Sequence, residues 1–292
     1  MRTLVVLAAF LIACGPGSER SDGGNGSGSG SGSGSGNSQG CSDAAKLVYV
    51  VDSSNKFSKF DPSTKTFTDL GTLSCPGTGL LDQPFSMGVD RNAIAWVLYS
   101  PSGKLYRVDT ANNLACTASN WQPATNGLQL FGMGFSSNTA GSTDDTLFVA
   151  GGTGDPMSSP TSKLATLDTT AFTSGSVGTV TGWPELTGNG NAELWGWFPD
   201  ASSPRVEQIN KTSGAAVAGK TYNLPSLAGQ PMAWAFAFWG GDYWIFLERS
   251  TDSSTTVYQI DGTAGTVKGM TAASGREIVG AGVSTCAPVV IL

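Results

Sequence analysis

Residues 233–261 read AWAFAFWGGDYWIFLERSTDSSTTVYQID. One apolar run, 233–239, meets a second, 242–248, across Gly240 and Gly241. A Gly-Gly pair between two apolar runs is a hairpin signal, because glycine accepts the positive φ that the tight turn demands. A third run, 256–261, ends in an apolar residue followed by Asp, and the polar turn GTAG comes next. The stretch therefore reads as three consecutive antiparallel strands, and the same unit recurs along the chain.

The strands equivalent to DYWIFLE begin at Leu47 (LVYVVDS), Ala93 (AIAWVLYS), Thr146 (TLFVAGG), Ala192 (AELWGWF) and Asp242, with spacings of 46, 53, 46 and 50 residues. Each is followed by a strand that ends in Asp or Asn: Asp61, Asp109, Asp168, Asn210 and Asp261. Asp and Asn suit that place because their side chains bond the backbone of the turn. The strands equivalent to AWAFAFW are PFSMGVD, LFGMGFS and PELTG. Gly88, Gly134, Ala237 and Gly282 are small enough for crowded strands beside an axis. An outer, fourth strand is expected near 68–74, 176–181 and 266–270. No helical period is sustained after residue 40. Four strands per unit of this length is the pattern of propeller blades. The predicted fold is all-β, a five-bladed β-propeller over residues 41–292, with a large β-sandwich as the alternative.

The first unit lacks an innermost strand before Leu47, and IVGAGVS at 278–284 lacks a partner. If that strand completes the first blade, the ring closes. Cys41 and Cys286 then meet at one hairpin position, which pairs Cys41 with Cys286 and leaves Cys75 for Cys116. Four cysteines besides Cys14 make an even set, as two disulfides in an exported chain require. The longer loop is worth about 5 kcal/mol in the chain-entropy model.

The first residues read as an export signal. Arg2 supplies a positive charge, residues 4–12 a short apolar run, and LIAC at 11–14 the end of the signal. The run is too short to span a bilayer as a helix. LIAC resembles the bacterial lipobox, in which cleavage precedes the cysteine and the thiol carries diacylglycerol. Residues 1–13 are thus expected to be removed and Cys14 to be acylated, palmitate-type chains giving a stable membrane anchor at about 0.8 kcal/mol per buried CH2. Gly15 occupies the place of the inner-membrane retention aspartate, which points to the outer membrane. Residues 14–40 form a Gly/Ser-rich tether, expected to behave as a disordered coil of roughly 25–30 Å end to end.

The segments AWAFAFWGGDYWIFL and IVGAGVSTCAP resemble those of a group of uncharacterised lipoproteins with β-propeller repeats from myxobacteria-like bacteria. The likeness covers residues 180–288. It implies a propeller fold and a place at the cell envelope, and it carries over no catalytic residue.

The chain has no His and a net charge of −6 with no basic cluster. Nucleic acid is therefore not an expected partner, and Ser-His-Asp or Cys-His nucleophilic machinery is absent in its usual form. GAAVAGKT at 214–221 matches the phosphate-loop pattern, but a turn precedes it and TYNLP follows, so the required strand and helix are missing. Carboxylates on inner strands of a propeller can form an acid pair about 5–9.5 Å apart. Asp90, Glu185 and Glu277 are the candidates by position. The plainer expectation is that Asp90 caps a hairpin, Glu185 starts a strand and Glu277 pairs with Arg276. Asp144, Asp145 and Asp155 surround the third unit's strand. With no DxDxDG loop they are expected to be solvated turns rather than a calcium site. The tryptophans of the second half, Trp183, Trp195, Trp197, Trp234, Trp239 and Trp244, are expected mostly to pack between blades; if one binds a ligand, Trp239, at the Gly240–Gly241 turn, is the candidate.

These readings favour a lipid-anchored, monomeric, non-catalytic propeller that binds an envelope or extracellular protein or glycan, without cofactor or metal. A glycan-cleaving enzyme with axial carboxylates is the alternative, and a purely structural envelope component is a third.

Overall fold

The computed structural model describes residues 40–273 and 275–290. The expected signal, the acylated Cys14 and the tether up to residue 39 lie outside the described residues.

Among the described residues, twenty strands form five separate four-stranded antiparallel sheets. The first blade holds β1 (Val48–Asp52), β2 (Lys56–Asp61) and β3 (Thr66–Thr72). The second holds β4 (Gln83–Val89), β5 (Ile94–Ser100), β6 (Leu105–Asp109) and β7 (Ala115–Ala118). The third holds β8 (Leu130–Ser137), β9 (Asp145–Gly152), β10 (Thr161–Leu167) and β11 (Ser174–Thr181). The fourth holds β12 (Glu185–Gly188), β13 (Leu194–Phe198), β14 (Arg205–Ile209) and β15 (Ala216–Asn223). The fifth holds β16 (Pro231–Trp239), β17 (Asp242–Arg249), β18 (Thr256–Asp261) and β19 (Val267–Ala272). Then β20 (Ile278–Gly282) returns to pair with β1, which completes the first blade.

Neighbouring innermost strands pack in the order β4, β8, β12, β16, β20 and back to β4. The molecule is thus a five-bladed β-propeller, not a sandwich. The expected small residues sit in this ring. A Cβ on Gly134 would stand 2.8 Å from the Leu186 carbonyl carbon, and one on Gly282 2.7 Å from Val89 Cγ2. Strands of the second position are buried along almost their whole length between blades, as in β1, β5 and β13. The outer strands β3, β7 and β15 are largely exposed. GAAVAGKT falls on β15 and the turn before it, so it is an outer edge strand and not a phosphate loop. The repeated Asp and Asn behave as their position demands. Asp61, Asp109, Asp168, Asn210 and Asp261 each accept backbone N–H bonds from the following turn.

The two disulfides join Cys41 to Cys286 and Cys75 to Cys116. The first staples the chain just before β1 to the chain just after β20. Beyond β20, residues 283–290 run across the end of the axis where the innermost strands finish. There they touch the inner hairpin region of every blade. The Ser284 hydroxyl donates to the Ala45 carbonyl at 2.6 Å, before β1. The Arg91 guanidinium, in the β4–β5 turn, donates to Thr285 Oγ1 at 3.0 Å, and that hydroxyl donates to Asp145 Oδ2, at the start of β9. The Thr285 carbonyl lies against Gly190, after β12. Gly240, after β16, donates its N–H to the Pro288 carbonyl at 2.7 Å. This end of the axis is capped by protein.

Candidate functional site

The opposite end, where the innermost strands begin, is open. A cavity of about 270 Å³ lies there. Three innermost strands are built alike at this point. The β4–β5 register passes from Pro84 paired with Tyr99 to Ser86 paired with Leu98, leaving Phe85 unpaired. The β16–β17 register passes from Pro231–Arg249 to Ala233–Glu248, leaving Met232 unpaired. The β1–β20 register passes from Val51–Gly280 to Asp52–Ile278, leaving Val279 unpaired. Each is a one-residue β-bulge, which bends the strand and re-aims the extra side chain. Phe85, Met232 and Val279 all line the mouth. Phe85 and Val279 are half-buried there, and Phe85 also packs on the core between the second and third blades. Met232 is 59% exposed, and Leu81, in the loop before β4, is 81% exposed above it. The half-buried Trp234 completes the apolar wall.

Glu185 lies at the inner side of this mouth and is 3% exposed. It starts β12 but does not point into its own blade. Its Oε2 accepts a 2.8 Å bond from Ser86 Oγ on β4, two blades away, and the Met133 backbone of β8 also bonds the carboxyl. Burial outweighs both bonds and holds the carboxyl well above its usual range, because desolvation disfavours the charged form. Glu277 is at the rim and exposed, and its carboxylate accepts a 2.6 Å bond from Ser53 Oγ. Behind the rim, the Glu248 carboxyl is raised by burial first and then by the charges of Glu277 and Asp252. One of its oxygens is buried without a hydrogen-bond partner.

The structure therefore brings Glu185 and Glu277 to one cavity and leaves Asp90 at the capped end. There Asp90 Oδ1 accepts the N–H groups of Asn92 and Ile94, so it caps its hairpin. The expected Glu277–Arg276 pair does not form. Arg276 Nη2 reaches Asp69 on β3 at 2.7 Å, and this bond, with that of Ser58, lowers the Asp69 carboxyl to about 2. Asp145 is also not the solvated turn residue that its neighbours suggested. Burial raises its carboxyl to about 6, and the Thr285 bond and Arg91 offset this only in part. Asp155 is exposed and bonds its own turn through Met157 N–H and Ser158 Oγ. Among the described residues no group of three or more His, Cys, Asp or Glu is placed to hold a metal ion.

Trp239 is fastened rather than displayed. Its Nε1 donates to the Lys46 carbonyl at 2.9 Å, and its ring packs on the core between the fifth and first blades. The aromatic at the mouth is Trp234, five residues earlier on the same strand. Trp234 is one of the second-half tryptophans weighed for a ligand role, but the sequence favours Trp239 for its place at a turn, because the bulge beside Trp234 at Met232 is a property of register and not of residue type.

No protein-family model matches the sequence, and no curated protein matches it. Among solved structures, the chain is similar to one in the crystal structure of a nidogen/laminin complex, at 10% identity and TM-score 0.50, over 81% of this chain and 97% of that one. It is similar to a luciferin-regenerating enzyme at 13% identity and TM-score 0.46, over 80% of this chain and 92% of that one. It is also similar to the virginiamycin B lyase of Staphylococcus aureus, at 12% identity and TM-score 0.40, over 79% of this chain and 67% of that one. At such identities the likeness speaks to the fold alone.

Proposed function

We propose that this propeller is a non-catalytic binding module, carried by an exported lipoprotein of the myxobacterial type and anchored through Cys14, and that it takes an envelope or extracellular protein or glycan at the open axial mouth. The observation that carries the reading is the bulge repeated on three innermost strands, Phe85, Met232 and Val279. One bulge is common in sheets, but three that place apolar side chains in the lining of one cavity make a built site. The placement of the tether supports it. The described chain enters at Cys41, bonded to Cys286 at the capped end, so the segment expected to be the tether joins the domain at the end opposite the mouth. Two disulfides accord with export to an oxidising compartment.

The test is capture from envelope extracts with soluble residues 41–292, compared with a Leu81→Ser, Met232→Ser variant. Specific capture that the variant loses supports the mouth, and equal capture by both sinks it. Accumulation of precursor under globomycin tests the anchor.

One observation favours a second reading. Glu185 and Glu277 line the same cavity, one with its carboxyl raised well above the usual range by burial and one bonded to a hydroxyl. That is the division of roles that a glycan-cleaving acid pair needs. Turnover on a glycan panel that vanishes in Glu185→Gln would establish it in place of the first.

A further inference from the structure

We infer that the axial mouth takes an organic cation: an ammonium or guanidinium group on an apolar stem. The inference rests on the reading of the mouth as the binding site and names the chemistry that it selects.

The wall of the cavity comes first. Phe85, Met232 and Val279, each at a bulge, and the neighbouring Trp234 line the cavity; Met232 is largely exposed, and Phe85, Val279 and Trp234 are half-buried. Such a collar favours a ligand with an apolar part, and an indole face also attracts a cation. The charges come second. Glu185 lies beneath the collar and Glu277 on its rim. Glu248 stands close enough to Glu277 to be affected by its charge. The described residues that line the cavity include no Lys or Arg, and the chain has no His. The nearby guanidinium of Arg276 is engaged by Asp69 and the Ala273 carbonyl.

The other ligand classes fit less well. An anion would meet carboxyl groups without a compensating donor. A metal ion would need several oxygen ligands at about 2–2.6 Å, and among the described residues no group of three or more His, Cys, Asp or Glu is placed to hold one. A neutral sugar would find the Gln83 and Ser100 side chains in the lining, but the Ser53 hydroxyl is bonded to Glu277 and that of Ser86 to Glu185, and a sugar brings no positive charge to the rim carboxylate. An ammonium group uses what is present. It sets a positive charge beside the exposed Glu277 carboxylate, for which no lining residue supplies a partner, it can donate to the Glu185 carboxyl, and its stem covers the collar. A cavity of about 270 Å³ is at the small end of ligand pockets, so it accommodates a group the size of a lysine side chain.

The full chain is labelled with ¹³C-methyl methionine, and Met232, identified by a Met232→Leu variant, reports on the mouth. It is titrated with n-hexylammonium chloride and with n-hexanol, which shares the stem and lacks the charge. The ammonium should move the Met232 methyl with an affinity about tenfold better than the alcohol. In a Glu185→Gln, Glu277→Gln variant, where both replacements keep size and shape, the two ligands should agree within about twofold. A third titration with acetyl-Leu-Lys-Leu-amide separates the sources. Tighter binding than hexylammonium, lost in Leu80→Ser, Leu81→Ser, assigns the cation to a polypeptide; otherwise it is a free amine, and the inference holds in both cases. Equal affinity of hexanol and hexylammonium for the native chain overturns the cation and leaves the mouth as a binding site. A silent Met232 methyl with both ligands also overturns it. The reading of the mouth falls separately, through equal capture by native protein and the Leu81→Ser, Met232→Ser variant.

Discussion

Where the innermost strands begin, Phe85, Met232 and Val279, each at a bulge, line a cavity. Where the same strands finish, residues 283–290 touch all five blades and a disulfide holds them in place. At the finishing end, polar side chains are spent on fixing one segment: Ser284 on Ala45, Arg91 and Asp145 on Thr285. At the beginning end, Leu80, Leu81 and Met232 are left exposed. The difference teaches that stability is concentrated at one end of the axis and is not demanded of the other, where residues are free to serve a ligand.

This contrast can be broken by substitution. The largest effect is expected from Cys41→Ala with Cys286→Ala, which opens a loop spanning 245 residues. The chain-entropy model gives a loss of about 5 kcal/mol, against about 4 kcal/mol for opening Cys75–Cys116. Guanidinium unfolding of the two double variants measures the order, and a larger loss from the shorter loop would contradict the picture of a stapled end. Next comes Asp145→Asn. The folded carboxyl titrates at about 6 rather than 3.8, so the unfolded chain releases its proton first as pH rises. The native carboxyl therefore costs stability progressively between about pH 4 and 6, and the cost is constant above. The variant should be more stable by about 1–3 kcal/mol at pH 7 and no more stable at pH 3.5. Urea midpoints at the two pH values decide this, and a gain of equal size at both would remove the carboxyl as its cause. Ser284→Ala removes a buried bond to the Ala45 carbonyl and should cost about 1–2 kcal/mol. At the open end, Leu81→Ser and Met232→Ser should each leave stability within about 0.5 kcal/mol of native. A loss above 1 kcal/mol at either residue would show that the mouth is structural after all.

Much of the fold was legible in the sequence, for a physical reason. Second-position strands such as 94–100 and 242–249 are buried on both faces, so they stand out as continuous apolar runs. The outer strands β7 and β15 carry little apolar surface and were not located. The Cys41–Cys286 pairing could be foreseen because ring closure dictates which chain ends meet. The site was harder to see. Phe85, Met232 and Val279 read as ordinary strand residues, and only the register of the neighbouring strand reveals that each is unpaired. Glu185 could be picked out by its place at a strand start, but not its reach across the axis to Ser86. Asp145 was misread as a solvated turn, and Trp239 was singled out for its turn, for one reason: residues distant in sequence, Thr285 and Lys46, cover positions that the local turns make appear open.

The late arrival of β20 has a consequence for how such a molecule is made. In chain order β20 follows every other strand, and the cap and the partner of Cys41 follow it. Until they are synthesised, one edge of β1 has no neighbour. An unpaired strand edge is a template for association with other chains, and joining positions as far apart in sequence as Val51 and Gly280 is slow because it waits on loop closure. Blades two to five can each settle as a local meander while the first stays open. Completion of the ring is thus a single terminal event, and a chain shortened before residue 278 would remain sticky rather than merely less stable.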